Sequence, residues 1–203
     1  MSAREAIFAA IAANRPSGRH DLPAVPRFAV PDPDKDRIRA FKTNLVAMGG
    51  RLMDAGPAND PLAPLRARLA AAAVVCSAAP EIDGRRDLAT VAKPHDLADV
   101  DIAVVRAAFG IAETGSVLLT ESELHVNALA YLAQHLIVLL DPEDIVASTQ
   151  DAYRRPELHT AHYASFHTGP SATADIEGVL IHGAQGVRSL TVLLSPRGAD
   201  AGR

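Results

Sequence analysis

The sequence contains a single cysteine, Cys76, among its 203 residues. One cysteine cannot form an internal disulfide, and one thiolate cannot hold an iron–sulfur cluster, which normally takes four. Within the segment AAAVVCSAA, Cys76 is predicted to be a small buried hydrophobic side chain and not a reactive thiol. The sequence also lacks a dinucleotide-binding glycine motif, so it shows no motif for binding a redox cofactor.

The sequence also lacks long apolar runs and a strong charge of one sign. No segment stays apolar over the roughly 18 residues that a membrane span needs. The N-terminal segment MSAREAIFAAIAANR contains an acid and no long apolar stretch, so it is not typical of a secretion signal. A net charge of −4 gives no electrostatic reason to expect nucleic acid or an anionic membrane as a partner. These absences predict a cytoplasmic protein.

The length and composition suit one globular domain with an appended arm. Apolar residues make up 48% of the chain and charged residues 22%, close to the average for globular proteins. A chain of this size buries roughly 70% of its unfolded surface, so it can form a full core without a disulfide or a structural metal. The sequence shows no internal repeat and no low-complexity tract.

The N-terminal region differs from the rest of the chain. Residues 1–14 place Ile7, Phe8 and Ile11 at helical spacing, which predicts a short amphipathic helix. Residues 15–36 contain five of the 14 prolines, which predicts an extended arm because proline removes backbone donors. We therefore divide the chain into a helix and arm (1–34), an α/β domain (35–197) and a flexible tail (198–203). The sequence leaves open whether the arm lies on its own domain or on a neighbouring subunit.

Helical and strand patterns alternate along the central region. A helix is predicted over 36–48, ended by Gly49-Gly50, and an alanine-rich helix over 62–72. A third helix is predicted from the cap Asp141-Pro142 to about Arg155. Apolar runs predict strands between the helices, and the continuous run HLIVLL indicates a strand covered on both faces. This alternation predicts a layered α/β domain. The predicted strands are AVVCS (73–77), VDIAVV (100–105), SVLLT (116–120), HLIVLL (135–140), YASFH (163–167) and SLTVLL (189–194).

A first polar loop, Ala112-Glu113-Thr114-Gly115, directly precedes the strand that begins at Ser116. In one interpretation these residues only form a turn, in which Thr114 bonds to local backbone and Gly115 adopts a conformation that other residues avoid. In the other interpretation, Glu113 presents a carboxylate at the sheet edge for general-base, nucleophilic or ligand-binding work.

A second polar loop alternates Ser171, Thr173, Asp175 and Glu177 with small or apolar residues. If the loop is extended, the four polar groups share one face and could line a cleft. If a helix begins near residue 172, Ser171 or Thr173 caps it and the free N–H groups form an anion site. The preceding Gly169-Pro170 turn favours the helix. The hydroxyls could also satisfy only their own helix end.

Several histidines are candidates for metal ligands. His159, His162 and His167 lie near Glu157, but their spacing fits no standard zinc pattern, so ordinary structural roles are favoured. His125 and His135 lie in mixed apolar surroundings and are interpreted as structural. The turn Gly183–Gly186 before the last strand is a weak signal for phosphate. The sequence predicts no metal site.

The two loops together resemble a known family. GIAETGSVLL, followed about 50 residues later by GPSATADIEGVLIHGAQG and then SLTVLL, resembles the lactate-utilisation protein C family, the LUD-domain proteins, over about residues 35–195. The resemblance implies a three-layer mixed-sheet α/β domain of the ribose-isomerase and CoA-transferase-like (NagB/RpiA/CoA transferase-like) fold. Two positions depart from the family pattern. Ala172 replaces an arginine, and the turn at 183–187 lacks the usual histidine and proline.

The resemblance also implies a role in oxidising L-lactate to pyruvate, beside partner proteins that carry the iron–sulfur clusters. This chain would bind no cofactor itself, and loops 112–116 and 169–178 would line one cleft for a small anionic ligand or for partner subunits. Two alternatives stay open: an enzyme of the CoA-transferase or folate-ligase kind that uses Glu113, and a regulatory module whose loops bind nothing. The implied catalytic residue is Glu113, and the implied ligand-binding residues are Thr114, Gly115, Ser116, Gly169, Ser171, Thr173, Asp175, Glu177, Gly183 and Gly186.

Overall fold

The computed structural model describes residues 2–16, 18, 21, 23–26, 28, 36–175 and 177–198. The predicted flexible tail (198–203), apart from Gly198, and much of the arm lie outside these residues. The helices within them are α1 (Ala3–Ala13), α2 (Arg37–Ala47), α3 (Ala63–Ala70), α4 (Glu121–Leu124), α5 (Leu129–Leu132), α6 (Thr149–Ala152) and α7 (Pro156–Thr160). The strands are β1 (Arg51–Met53), β2 (Val75–Ser77), β3 (Ile102–Arg106), β4 (Phe109–Ile111), β5 (Ser116–Thr120), β6 (His135–Leu140), β7 (Ile145–Val146), β8 (Ala164–His167), β9 (Ala172–Thr173), β10 (Ile181–His182) and β11 (Ser189–Leu194).

A five-stranded parallel sheet forms the centre of the fold, in the order β1-β11-β6-β3-β2. Successive side chains of a strand point to opposite faces, and both faces of this sheet are covered. Ile137 and Leu139 of β6 pack with Leu65 of α3 on one face. Leu136 and Val138 pack on the other face in the cluster that contains α2. The continuous apolar run of β6 therefore lies where the sequence predicts it, buried on both sides.

A second, four-stranded sheet, β7-β4-β5-β8, packs beside α2. The strands β4 and β5 form an antiparallel hairpin in which Ile111 faces Ser116. On its other side β5 pairs with β8, so that Val117 faces His167. Val117 and Leu119 of β5 join the central core, and Leu118 packs with Phe109 in a separate cluster. The predicted three-layer α/β architecture with parallel and mixed sheets is confirmed.

The single helix predicted from Asp141 to Arg155 is wrong. Asp141 does cap a turn, since its carboxylate accepts the N–H of Glu143, but that turn is one 3₁₀ segment, Pro142–Asp144. The chain then enters β7, where Ile145 pairs with Gly110 of β4. Burial of Ile145 in the core outweighs its place in a helical pattern. The remaining residues form the short helices α6 and α7, which Pro156 separates.

The helix favoured from residue 172 is also wrong. The chain is extended only over Ala172–Thr173, so the alternative in which four polar groups share one face is not borne out either. Here β9 and β10 form an antiparallel pair, with Thr173 opposite Ile181 and Ala172 opposite His182. The chain from Ala174 to Leu180 connects them, and Glu177 and Gly178 adopt positive φ values of 52° and 71°. A left-handed pair of this kind suits the tip of a hairpin and interrupts a helix.

The N-terminal helix α1 is confirmed, with a reciprocal capping box between Ser2 and Glu5 and no buried residue. The arm contacts its own domain at Gln150. The side-chain amide of Gln150 donates to the carbonyl of Pro26 at 3.1 Å and accepts the N–H of Phe28 at 3.0 Å. At this point the arm therefore lies on the domain of its own chain. Among the described residues, no helix is long and apolar enough to cross a membrane.

Candidate functional site

Pairing of β5 with β8 brings the start of one polar loop beside the start of the other. Ser116 opens β5, and Thr168 follows the last residue of β8. The Oγ1 of Thr114 lies 2.7 Å from the Oγ of Ser116, which in turn contacts the Oγ1 of Thr168. Three hydroxyl groups from two distant segments thus form one hydrogen-bonded chain.

The C-terminal end of α2 forms the third wall of this site. The side-chain amide of Asn44 donates to the carbonyls of Ala112 and Glu113, at 2.8 and 3.0 Å. Gly115 and Gly169 both have φ +68° and approach the α2 backbone so closely that an added Cβ would overlap it. Two glycines therefore let both loops pack against one helix end.

The first polar loop, the end of α2 and Thr168, which precedes the second polar loop, form an open cavity of about 390 Å³. It is lined by Asn44, Ala47, Met48, Glu113, Thr114, Ser116 and Thr168. This volume suits a small molecule. Each hydroxyl group can both donate and accept hydrogen bonds. The O–H bonds of Thr114, Ser116 and Thr168 can therefore rotate to suit an anionic or a neutral polar ligand.

Glu113 lines this cavity, and its carboxylate makes a contact with a neighbouring helix. Its Oε2 accepts the backbone N–H of Thr149 at 2.8 Å, at the first turn of α6. A carboxylate near the start of a helix is stabilised by the unpaired N–H groups there. Glu113 therefore joins the β4–β5 turn to α6.

The remaining residues of the second loop lie elsewhere on its hairpin. At the base, the N–H of Ser171 donates to Val187 at 3.0 Å and its carbonyl accepts the N–H of Gly183 at 2.7 Å. Gly186, with φ +71°, lies against the Ser171 side chain. Asp175 and Glu177 are exposed at the tip, where the N–H of Asp175 donates to Thr173 Oγ1 at 3.3 Å. The structure thus brings Glu113, Thr114, Ser116 and Gly169 together, whereas Asp175 and Glu177 lie at a separate exposed tip.

His167 lies next to the hydroxyl chain, and sequence reasoning gave it no role there. Its Nε2 is buried without a hydrogen-bond partner among the described residues, and its ring packs 5.3 Å from that of Tyr131. Burial lowers the pKa of His167 to about 4. The Tyr131 hydroxyl contacts that of Tyr163 and donates to Ser165 at 3.0 Å. Burial, together with the Tyr131 hydrogen bond, raises the pKa of Tyr163 to about 12.

The other histidines considered as zinc ligands lie apart from this cluster. His159 contacts the carbonyl of Tyr153 through Nε2 at 3.0 Å, and His162 is exposed. Within the described ranges, no group of three or more His, Cys, Asp or Glu side chains could hold a metal ion.

We expect acid to destabilise the fold through His167. Its folded pKa of about 4 lies below the ordinary value of 6.5, so the unfolded chain binds more protons between these pH values. Stability is therefore full above about pH 6.5 and falls by about 3 kcal/mol as pH drops to about 4. Urea unfolding at a series of pH values measures this loss.

The control for this prediction is a variant series. His167→Gln should flatten the pH dependence, whereas replacement of the exposed His95 by Gln should leave it unchanged. Burial also lowers the pKa of His135, so part of the acid sensitivity should persist in His167→Gln. An identical pH slope in His167→Gln and the wild type would contradict the assignment.

Comparison with known proteins identifies the family. The LUD domain matches residues 81–195, more than half of the chain. The protein belongs to the LUD-domain family. A crystal structure of a DUF162 family protein from Deinococcus radiodurans is similar in fold, with a TM-score of 0.57 and 15% identity over 78% of this chain and 96% of that chain. The search of curated proteins found no match.

Proposed function

We propose that this protein is a non-redox subunit of an iron–sulfur system that oxidises L-lactate to pyruvate, as expected for lactate-utilisation protein C. In this proposal, loop 112–116 binds a small anionic ligand together with Thr168, which directly precedes loop 169–178, and the two loops could also bind the partner subunits. Membership of the LUD-domain family supports the pathway, since the family is associated with lactate utilisation.

One observation carries the assignment of the site. The hydroxyls of Thr114, Ser116 and Thr168 converge from two segments on a single small cavity. Their O–H groups can donate to a carboxylate without placing a buried positive charge in the site. Lactate and pyruvate, which carry a carboxylate beside a hydroxyl or keto group, are small enough for this cavity and offer oxygens that these hydroxyls can contact.

The proposal assigns the iron–sulfur clusters to partner proteins because this chain has only one cysteine. The only cysteine, Cys76, is buried in β2, and burial raises the pKa of its thiol. A single protonated thiol cannot ligate an iron–sulfur cluster. Electron transfer in this proposal therefore falls to partner proteins, and this chain contributes ligand binding or assembly.

The first arm of the test measures ligand binding through thermal stability. Lactate and pyruvate should each raise the melting temperature of the wild type saturably, because a ligand that binds only the folded state stabilises it. Thr168→Val keeps the side-chain shape but removes the hydroxyl, and should weaken binding at least tenfold. Thr160→Val is the matched control, since its hydroxyl bonds Pro156 on the exposed end of α7.

The second arm tests assembly. The untagged chain, purified from its host, should bring down proteins that carry iron–sulfur clusters. Recovery without any such protein, combined with no stabilisation by lactate or pyruvate, would contradict the proposal. A covalent acyl adduct on Glu113 after incubation with acyl-CoA would instead support the CoA-transferase alternative, in which this carboxylate is the nucleophile.

A further inference from the structure

A larger cavity, of about 800 Å³, lies at the carboxyl ends of the central parallel strands. Ser77, the last residue of β2, and Arg106, the last residue of β3, both line it. Its walls also include residues 78–80 and 82–89 of the loop 78–89, and Arg197, which follows β11. Open parallel α/β sheets bind their ligands at this edge, because the loops that follow the strands meet there. The cavity shares no lining residue with the one between the polar loops.

Arg106 is the unusual feature of this cavity. It ends a strand of apolar residues and is only 6% exposed. Its Nη1 donates to the carbonyl of Ser195 at 3.0 Å, and its Nη2 lies 2.6 Å from the carboxylate of Glu81. The Nε and Nη2 of Arg106 and the Oε2 of Glu81 are buried without hydrogen-bond partners among the described residues, although Nη2 is ion-paired with Glu81. A buried N–H group without an acceptor costs free energy, so the unpaired N–H groups of Arg106 point to a use.

Of the three other arginines on the wall, Arg85, Arg86 and Arg197, the last two are held in place by acids that lie outside it. Arg86 makes a two-point contact with Asp99, in which Nη2 donates at 2.6 Å. That contact raises the pKa of Arg86 and lowers the pKa of Asp99. Arg197 donates from Nε to Asp144 at 3.0 Å. Guanidinium groups fixed in this way lose little conformational entropy when a ligand binds.

The wall also carries the acids Asp83, Asp87 and Glu123. Asp87 accepts the N–H of Ala89 at 2.9 Å. Glu123 accepts both the N–H and the hydroxyl of Thr120, at 2.9 and 2.6 Å. Two of the three acids thus use oxygens to cap their own helical turns, so they compete less with the arginines for an anion.

His125, which also lines the cavity, has a strained backbone. Its φ of 56° and ψ of −44° place it at positive φ, which few residues other than glycine adopt. Its N–H donates to the carbonyl of Glu121 at 3.0 Å and ends α4. Strain of this kind clusters at binding and catalytic sites, because the surrounding structure must hold it.

We propose that this cavity binds a small molecule through an oxyanion group, a carboxylate or a phosphate, which Arg106 contacts together with Arg86 and Arg197. Guanidinium groups recognise both oxyanions through paired N–H donors. The site is separate from the one between the polar loops, so the LUD-domain protein would have two ligand sites.

Isothermal titration calorimetry tests the site with inorganic phosphate and with L-lactate, each against sodium chloride of equal ionic strength. At least one probe should bind saturably beyond the chloride control. The double variant Glu81→Met/Arg106→Met removes both buried charges together, which keeps the fold stable. It should weaken binding at least tenfold, and Arg197→Gln should weaken it several-fold. Arg39→Gln, which removes one exposed charge on α2, is the control and should bind like the wild type.

The outcomes separate the two ligand classes and the two sites. The probes are compared in Thr168→Val, in which the cavity beside Thr168 contributes little. Tighter phosphate binding there identifies a phosphorylated ligand, and tighter lactate binding a carboxylic acid. Thr168→Val should leave binding at the arginine site unchanged. The inference is overturned if neither probe binds beyond chloride, if the double variant binds with wild-type affinity, or if Thr168→Val alone abolishes the binding.

Discussion

Gly115→Ala should lower the free energy of unfolding by about 3 kcal/mol, through strain and steric overlap. Gly115 has φ +68°, and an added Cβ would lie 2.6 Å from the Cα of Leu45 and overlap its backbone nitrogen. Backbone cannot move aside as a flexible side chain can, so α2 and the β4–β5 turn must separate. Thermal unfolding should show a melting temperature about 10 °C lower than that of the wild type.

Gly178→Ala is the matched control for this prediction. Gly178 has nearly the same φ, +71°, but an added Cβ would meet nothing within 4 Å. The free energy of unfolding of this variant should therefore fall only by the cost of the left-handed backbone, about 1–2 kcal/mol. Equal destabilisation by the two substitutions would show that backbone strain alone matters, and that the close approach of the loop to α2 does not.

Separation of α2 from the turn should also open the candidate site. Asn44, Ala47 and Met48 of the α2 end line the cavity with Thr114 and Ser116. Gly115→Ala should therefore weaken any stabilisation by lactate or pyruvate in addition to lowering stability, whereas Gly178→Ala should leave ligand binding unchanged. This second readout distinguishes a disturbed site from a general loss of stability.

Arg106→Met should destabilise the fold by about 3–5 kcal/mol, because it leaves the Glu81 carboxylate buried without its partner charge. The Arg106 side chain is 7% exposed and that of Glu81 15% exposed, so water cannot replace the lost contact readily. The carbonyl of Ser195 would also lose the hydrogen bond from Nη1. Urea unfolding at neutral pH measures the effect as a lower midpoint.

The double variant Glu81→Met/Arg106→Met provides the decisive comparison. Replacement of a buried ion pair by apolar side chains of similar size is often neutral or stabilising. The double variant should therefore be more stable than Arg106→Met alone. If the two have the same stability, the cost lies in packing around Arg106 and not in an unpaired charge at Glu81.

The sequence predicted most of the central sheet but not the pairs of charges and hydroxyls within the fold. In the central sheet, β2, β6 and β11 lie within predicted apolar runs, and β3 extends one residue beyond its run, to Arg106; β5 and β8 of the second sheet also lie within predicted runs. The division into an arm, a domain and a tail stays a prediction. Arg106 and Glu81 were not singled out, although an arginine that ends the run IAVVR is a signal that could have been followed. Their pairing depends on how loop 78–89 folds over the sheet edge, which no local pattern specifies.

The two wrong helices have related causes. Residues after Asp141 carry a good helix-start signal, yet Ile145 gains more from burial beside β4 than from a helical turn. At residue 172 the Gly169-Pro170 turn suits a helix or a hairpin equally, and pairing with Ile181 selects the hairpin. In both segments a partner remote in sequence outweighed the local preference.

The sequence alone determined the layered α/β class, the buried parallel strands and the likeness to LUD-domain proteins, because hydrophobic periodicity and short motifs are local properties. Only the tertiary structure decided that Thr168 meets Ser116, that Glu113 caps α6 and that Arg106 is buried against Glu81. These contacts depend on strand order and on loop paths around a shared core. Each joins segments that have no preference for one another until the whole chain packs.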